Sequence, residues 1–462
     1  MDRANWPVRL ASLAPAIWAG LAVAALDVLL FSLATRELSL MSRSELAARL
    51  ALPLLLLGLA GTALSVFRAR AATLLLFLVA TVASVAGGEL LLTAKAALVA
   101  TAEGGAGAID SLRAARAQGR ALAASLSMLP TFRNQGAGRI ASRLADERGE
   151  LVPLAGIPNS ETLYCRRAAR WLSYRADELG FRNPSGVWQG GQADAVLLGD
   201  SFVVGHCVED DGEFGALLRA RLGKVLNLGQ GGRGPLFQLA TLVEYGPMLK
   251  PRIVLWFYVD GDDIEDDLAY EGQSALLRRY LEPGFSQGLF ERRAGVTATL
   301  HEFQERALAL AAEDTAGRHA DWWREAATLA QLRGRLQMAW QALRPVDLAL
   351  FHRVLSRAGT VAAAWQGQLV LVDLAQQTDM SGGRLRETRQ QVHAIAGQLG
   401  IPLIELAPAF RAAGGALFQP GDGHYTAAGY ALAAEHIARS LSRLQARTRT
   451  HKHASRFVMR RA

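Results

Sequence analysis

The feature that most constrains the fold is a short apolar run followed at once by small polar residues. The run Ala195-Val-Leu-Leu198 is uninterrupted, which is typical of a strand buried on both faces of a parallel sheet. Gly199, Asp200 and Ser201 follow it, and a helical pattern begins at Phe214. Ligands meet open α/β sheets at the carboxyl ends of the strands. Ser201 is therefore predicted to lie where a nucleophile would be placed.

Gly-Asp-Ser also suits a simple turn, since all three residue types favour turns. The G-x-S-x-G elbow of α/β-hydrolases is absent, because position 203 is Val. Residues elsewhere in the chain have to decide between a turn and a nucleophile.

The same strand-and-helix rhythm continues to the end of the chain. Further short apolar runs predict strands at 224–228, 253–258, 368–373 and 402–406, and helical periodicity follows at 385–399. Strands that alternate with helices predict a parallel sheet covered by helices on both faces.

The amino-terminal region has a different character. The chain has 462 residues and a mean hydropathy of +0.14, which is high for a soluble protein. Three long apolar runs, at about 13–34, 51–67 and 71–88, match the roughly 20 residues that a membrane helix needs. We expect a three-helix transmembrane anchor, although buried helices of a soluble bundle and a cleaved signal peptide are alternatives.

Arginines in the flanking segments set the expected orientation. Arg3 and Arg9 precede the first run, and Arg68 and Arg70 lie between the second and third. The positive-inside rule then places both segments in the cytoplasm and everything after about residue 95 outside it.

Residues 96–150 are rich in Ala, Gly and Arg and predict a helical connector, with Ile109–Leu126 as one helical stretch. The net charge of +8 is spread along the chain and includes a basic tail at 446–462. No nucleic-acid-binding pattern accompanies this charge, so we expect no nucleic-acid partner.

The second strand leads into a glycine-rich loop, Asn227-Leu-Gly-Gln-Gly-Gly232-Arg-Gly234. It contains a G-x-G-x-x-G match, which can indicate dinucleotide binding. Pro235 follows directly, and no acidic residue ends a next strand about 20 positions on, so that match is weak.

Two more polar segments stand at strand ends or in loops. Asp260-Gly-Asp262-Asp263 follows the third strand, and Asp422-Gly-His424 precedes the last helix. The two-residue spacing of Asp422 and His424 allows both side chains to reach one point.

Taken in order, these segments resemble the SGNH/GDSL hydrolase superfamily. The likeness is to its membrane-anchored bacterial members of the polysaccharide O-acyl-modifying type. A lead-in segment, Asp177-Glu-Leu-Gly-Phe-Arg-Asn-Pro184, is similar to one found in those proteins, and we expect it to pack on the sheet. The resemblance covers about residues 157–442.

The resemblance implies a flavodoxin-like α/β/α domain and a role for each motif residue. Ser201 is the implied nucleophile, His424 its general base and Asp422 the carboxylate that orients the imidazole. The backbone N–H groups of Ser201 and Gly232 are implied oxyanion donors. The family's third donor is an Asn amide, but this chain has Asp262 there. The implied chemistry uses no cofactor and no metal.

The expected organisation places the anchor at 1–95 and an SGNH-type catalytic domain at 151–445, with a helical insertion at about 270–360. The chain has two cysteines, Cys165 and Cys207. Outside the cytoplasm such a pair tends to oxidise. We expect a disulfide, with two buried free thiols as the alternative.

The resemblance implies a serine esterase that removes O-acetyl or other acyl groups from an extracytoplasmic glycan. An acyltransferase acting on exported polysaccharide with the same residues, and a non-catalytic glycan-binding scaffold, remain open. The expected location is the bacterial inner membrane, with several spans and a periplasmic catalytic domain. Acylated carbohydrate, the membrane and polysaccharide-assembly proteins are the expected partners.

Overall fold

The computed structural model describes residues 84–90, 92, 108–136, 138–167, 170–309, 346–381, 386–420 and 423–459. The chain divides into two compact units, one of residues 1–105 and 313–345 and the other of residues 106–312 and 346–462. In the first unit, the structure describes only the helical residues 84–90 and 92. The strands and sites below belong to the second unit.

The strands, in chain order, are β1 (Leu122–Ala124), β2 (Phe132–Gly136), β3 (Arg139–Ser142), β4 (Leu144–Asp146), β5 (Gly149–Leu151), β6 (Glu161–Arg167), β7 (Arg170–Arg175), β8 (Ala195–Leu198), β9 (Val225–Asn227), β10 (Ile253–Tyr258), β11 (Gln368–Asp373) and β12 (Leu403–Glu405). The α-helices are α1 (Ala108–Ala117), α2 (Ser201–Val204), α3 (Phe214–Leu222), α4 (Pro235–Leu249), α5 (Ala269–Glu271), α6 (Ala275–Arg279), α7 (residues 293–309), α8 (Leu348–Ala363), α9 (Glu387–Gln398), α10 (Ala407–Ala413) and α11 (Ala427–Met459).

The central sheet is parallel and has five strands, in the order β12-β11-β10-β8-β9. Numbered along the chain, these strands have the order 2-1-3-4-5 of flavodoxin-like, doubly wound folds. The α/β domain with a parallel sheet that the sequence predicts is therefore present. The strand order reverses between β8 and β10, and such a switch point is where these folds hold ligands.

The apolar runs are uninterrupted because helices cover both faces of this sheet. Val196, Leu198 and Trp256 point into a core shared with α4 and α8. Their neighbours Leu197 and Phe257 point into a second core shared with α3 and α11. Each strand thus contributes alternate side chains to two cores, and the sheet separates the two cores.

Residues 96–150 differ from the predicted helical connector. Helix α1 ends at Ala117, and β1–β5 follow it, with Leu122, Leu126 and Leu144 in the same core as β8. β1 pairs in parallel with β6, about 40 residues further along. A strand of three residues is too short to show an alternating sequence pattern, and its partner lies far away in the sequence. The Ala- and Arg-rich composition of residues 96–150 favours a helix instead.

The predicted insertion at about 270–360 contains α5–α8 where the structure describes it. Trp322, Trp323 and Trp340 lie outside the described residues. At the carboxyl end, α11 continues to Met459, through most of the predicted basic tail at 446–462.

The lead-in segment does pack against the sheet, through Asn183. Its Nδ2 donates to Asp177 Oδ2 and to the Asn227 carbonyl, both at 2.9 Å. Its Oδ1 accepts from the Asn227 N–H at 2.7 Å and from Arg219 at 3.2 Å. Asn183 is 5% exposed. This amide fastens the segment to the end of β9.

The predicted membrane anchor is not supported. No described helix is both long and apolar enough to cross a membrane. α4 is apolar but has 15 residues and is buried in the domain core, whereas the 33-residue α11 is charged along its length. The predicted spans at about 13–34, 51–67 and 71–88 lie outside the described residues except for 84–88. Two expectations from the sequence are therefore corrected. One is the transmembrane anchor, and the other is the multi-pass inner-membrane location with a periplasmic catalytic domain.

The Asn183 contacts generate a stability prediction. Asn183→Ala should lower the free energy of unfolding by about 2–4 kcal/mol, because it leaves buried polar partners without hydrogen bonds. Urea unfolding followed by circular dichroism measures the change. Gln398→Ala, which removes an exposed amide at the end of α9, should stay within about 0.5 kcal/mol of the unsubstituted protein. Equal effects of the two substitutions would contradict the role assigned to Asn183.

Candidate active site

Ser201 begins α2, directly after β8. Asp200 precedes the helix, and its Oδ1 accepts the Phe202 N–H at 2.9 Å, which caps the first turn. A Cβ on Gly199 would lie 2.3 Å from Val203 Cγ2. The turn from strand to helix is therefore too tight for any residue but glycine, and it sets Ser201 at the carboxyl end of the sheet.

The imidazole of His424 contacts the Ser201 hydroxyl. Ser201 Oγ lies 2.7 Å from His424 Nε2, although 223 positions separate the two residues in sequence. His424 lies in the loop before α11, where its carbonyl accepts the Gln419 N–H at 2.6 Å. Both reacting side chains are half-buried. At this distance a neutral imidazole can accept the hydroxyl proton, which activates serine as a nucleophile.

Two aspartates matter for the orientation of His424. Asp422, the predicted orienting carboxylate, lies outside the described residues. Because Nε2 faces Ser201, Nδ1 is the ring nitrogen that such a carboxylate would bind. Within the described site, Asp200 Oδ2 lies 3.5 Å from Ser201 Oγ. Burial raises the pKa of Asp200, and the charge of His424 opposes that shift.

The glycine loop after β9 brings Gly231 up to Ser201. A Cβ on Gly231 would lie 3.8 Å from Ser201 Cβ and 3.3 Å from Ser127 Oγ. Gly232, the predicted oxyanion donor, has a φ of +62°, and its Cβ position has no atom within 4 Å beyond its chain neighbours. The two glycines thus differ: Gly231 permits close approach, and Gly232 adopts the left-handed backbone that turns the loop.

Asp262 lies just after β10, where it precedes a π-helical turn, Asp263–Leu268. The pKa of Asp262 is raised to about 6, chiefly by burial and also by the charge of Asp200, while the charge of His424 opposes the shift. Asp262 is therefore close enough to both groups to feel their charges. Its acid form can donate a hydrogen bond, whereas its carboxylate can only accept one.

Cys165 and Cys207 are joined in a disulfide, with their Cα atoms 5.5 Å apart and 42 positions between them in sequence. It links β6 to the loop that follows α2. A bridge over a loop of that length stabilises a fold by about 3–4 kcal/mol in the chain-entropy model.

Sequence reasoning missed two aromatic rings that contact His424. The Phe202 ring lies 4.6 Å from it at an interplanar angle of 31°, and the His206 ring lies 4.2 Å from it at 29°. Their positions, one and five residues after Ser201, carry the only sequence signal. Ser127, an exposed hydroxyl beside Gly231, was also missed, because it comes from the segment predicted as a connector.

Arg182 of the lead-in segment holds the loop behind the nucleophile. Its guanidinium donates to the carbonyls of Val204 and Gly205 at 3.1 and 2.8 Å and to that of Val208 at 2.8 Å. It also pairs with Asp210 at 2.7 Å. The arginine is 4% exposed, and it fixes the end of α2 from inside the protein.

Within the part of the chain that the structure describes, two groups of side chains come as close together as metal ligands do. Cys165, His206 and Cys207 form one, but the two sulfur atoms are bonded to each other. The second contains Asp373 and His393, and Arg389 Nε already donates to Asp373 Oδ2 at 2.8 Å. A guanidinium at that distance opposes a second cation. We assign a metal to neither group.

Glu271 occupies the position that a dinucleotide phosphate would take in the G-x-G-x-x-G loop. Its carboxylate accepts the N–H groups of Gly234, Leu236 and Phe237 at 2.7, 3.0 and 3.2 Å. These are the free donors at the start of α4, where a pyrophosphate would bind. The chain's own carboxylate therefore fills the place of the phosphate.

Comparisons with known proteins return structural neighbours only. No family model and no curated protein matches the chain. Three solved structures resemble it: a lipolytic protein of the G-D-S-L family from Desulfitobacterium hafniense, a lipase/acylhydrolase from Enterococcus faecalis, and an alpha/beta hydrolase enzyme from the metagenome of Lake Arreo. Their identities are 14%, 15% and 15%, and their TM-scores are 0.30, 0.30 and 0.29.

The matches cover 53%, 54% and 55% of this chain and 97%, 95% and 96% of the respective neighbours. None of their descriptions mentions a membrane anchor or a polysaccharide. With TM-scores below 0.5, the likeness carries no conclusion about the chemistry of this chain.

The Asp262 carboxylate yields a pH prediction. Above about pH 6 it is ionised and opposes an oxyanion, whereas below that pH its acid form can donate. Asp262→Asn supplies an amide donor at every pH. It should therefore raise kcat more at pH 8 than at pH 5, by up to about 10²–10³-fold at pH 8. Steady-state hydrolysis of a small ester between pH 5 and 8 measures the ratio.

Stability gives a second readout for the same variant. The folded protein holds the Asp262 proton up to about pH 6, whereas the unfolded chain releases it near the ordinary aspartate pKa of 3.8. The free energy of unfolding therefore loses this contribution as pH rises between those values. The Asn variant should lack that decline. A variant that is less active at both pH values would show that the carboxylate itself is required.

Proposed function

We propose that this protein is a serine esterase that removes O-acetyl or another acyl group from a glycan. The observation that carries the proposal is the 2.7 Å contact between Ser201 Oγ and His424 Nε2. It lies at the carboxyl end of a parallel sheet beside a loop of glycines, where an ester carbonyl can approach the hydroxyl.

The proposed reaction is acyl transfer in two steps. Ser201 Oγ attacks the ester carbonyl carbon while His424 Nε2 takes its proton, and the imidazolium then protonates the leaving alkoxide. A water molecule attacks the acyl-serine in the same way, which releases the acid and restores the hydroxyl. Asp422 is proposed to hold the imidazole through Nδ1. The N–H groups of Ser201 and Gly232 are proposed to bind the oxyanion.

Three features support a bulky carbohydrate ester as substrate. Ser201 and His424 are both half-buried, so the hydroxyl can be reached by a group attached to a large molecule. Ser127 presents an exposed hydroxyl beside Gly231, paired with Ser125 Oγ at 2.9 Å. The resemblance of the motifs to polysaccharide-modifying proteins favours the same class. Polysaccharide-assembly proteins are the partners proposed on that basis.

The test is esterase activity of the full chain on a chromogenic acetate ester and on an O-acetylated glycan. Ser201→Ala and His424→Ala should each abolish turnover, because nucleophile and base act as a unit. Asp422→Asn should reduce it. A serine-directed phosphonate should label Ser201 in the unsubstituted protein, as read by peptide mass spectrometry.

Ser185→Ala and His301→Ala are matched controls, since each removes an exposed residue of the same type. Both should leave turnover unchanged. Release of free acetate supports the esterase, whereas acetate found on an added sugar acceptor would assign the acyltransferase. Glycan binding without turnover or labelling would reject the enzyme in favour of a binding scaffold.

A further inference from the structure

The ring of His206 lies against the imidazole of His424, the proposed general base. Its ring centroid is 4.2 Å from that of His424, and the two planes differ by 29°. The rings are therefore stacked, and the second imidazole lies against a face of the first. This contact is separate from the Nε2 contact that His424 makes with Ser201.

Two hydrogen bonds of its own backbone hold His206 in place. Its N–H donates to the Ser201 carbonyl at 3.0 Å, so the ring is tied to the nucleophile's own turn. Its carbonyl accepts from Gln419 Nε2 at 3.0 Å, and the Gln419 N–H donates to the His424 carbonyl at 2.6 Å. Gln419 thus connects the two histidine segments directly.

The residues on either side of His206 are also held. Gly205 accepts a hydrogen bond from Arg182 at 2.8 Å. Cys207 has a left-handed backbone, with a φ of +54°, and its sulfur is bonded to Cys165. The backbone on both sides of His206 is therefore held in place beside His424.

We propose that His206 is a positioning residue that holds the His424 imidazole in line with Ser201 Oγ and, when neutral, faces the imidazolium that forms there during acyl transfer. This inference rests on the proposed function. A neutral aromatic face attracts a cation, whereas two imidazolium rings in contact repel each other. Protonation of one ring therefore opposes protonation of the other.

Other ionisable groups surround the pair. Asp200 and Asp262 follow β8 and β10 and act on His424 through their charges. Tyr430 of α11 lies beside the His206 backbone, and Arg182 stands behind the Gly205 carbonyl. Asp422 lies outside the described residues.

The experiment compares His206→Phe with His206→Ala in the full chain. Phe keeps a flat ring that cannot titrate, whereas Ala removes the ring. His206→Ala should lower kcat by about tenfold and leave KM within about twofold, because the ring holds the base and not the substrate. His206→Phe should recover most of kcat, and the acid limb of its pH–kcat profile should follow a single proton. His301→Phe is the matched control.

A nuclear magnetic resonance titration tests the pair without activity. With histidine rings isotopically labelled, and the His424 signal assigned by its loss in His424→Ala, the His424 titration should be broadened over two steps in the unsubstituted protein. It should become a single step in His206→Phe. If the His424 titration is the same with His, Phe and Ala at position 206, the proposal is overturned, whatever the turnover.

The two proposals can fail separately. Lack of phosphonate labelling and of ester turnover in the unsubstituted protein rejects the esterase. Coupled titration of His424 and His206 in that same protein would still establish the pair. Normal turnover with unchanged kcat and pH profile in His206→Ala rejects the positioning role and leaves the esterase intact.

Discussion

The contact between Ser201 and His424 depends on the burial of a parallel sheet on both faces. β8 ends at Ser201's turn, and α11, which follows His424, packs in the same core as α3 on one face of that sheet. The sheet thus joins two segments 223 positions apart and brings their side chains within 2.7 Å. Loosening of the core beneath β8 would act on the reaction directly, because a hydrogen bond of this kind tolerates little displacement.

A second layer of buried polar groups gives the site its shape. Asn183 fastens the lead-in segment to β9, Arg182 fixes the end of α2, and Glu271 caps α4 behind the glycine loop. Each of these side chains satisfies several backbone groups that no water reaches. These three side chains therefore hold segments that follow or flank strands β8 and β9.

The sequence predicts the strands of the parallel sheet well, but it predicts poorly the segments that pack around that sheet. The apolar runs of β8, β10 and β11 coincide with the observed strands, because a strand buried on both faces is a short, uninterrupted apolar run. β1 escapes prediction because its pairing with β6 is non-local. The motif residues Ser201 and His424 come together as expected. His206 and Ser127 do not stand out, since only the folded chain shows which loops meet at the site.

Asp262 shows how one substitution redistributes charge within such a site. Acyl transfer creates an oxyanion and an imidazolium at the same time, and an amide at position 262 would favour the first without affecting the second. A carboxylate disfavours the oxyanion but attracts the imidazolium of His424, with which its charge interacts. Burial and the charge of Asp200 hold its pKa at about 6, so that the group changes between these two roles near neutral pH. The stacked ring of His206 acts on the same imidazolium from another direction. In the proposed reaction, therefore, the Asp262 carboxylate and the His206 ring both act on the base.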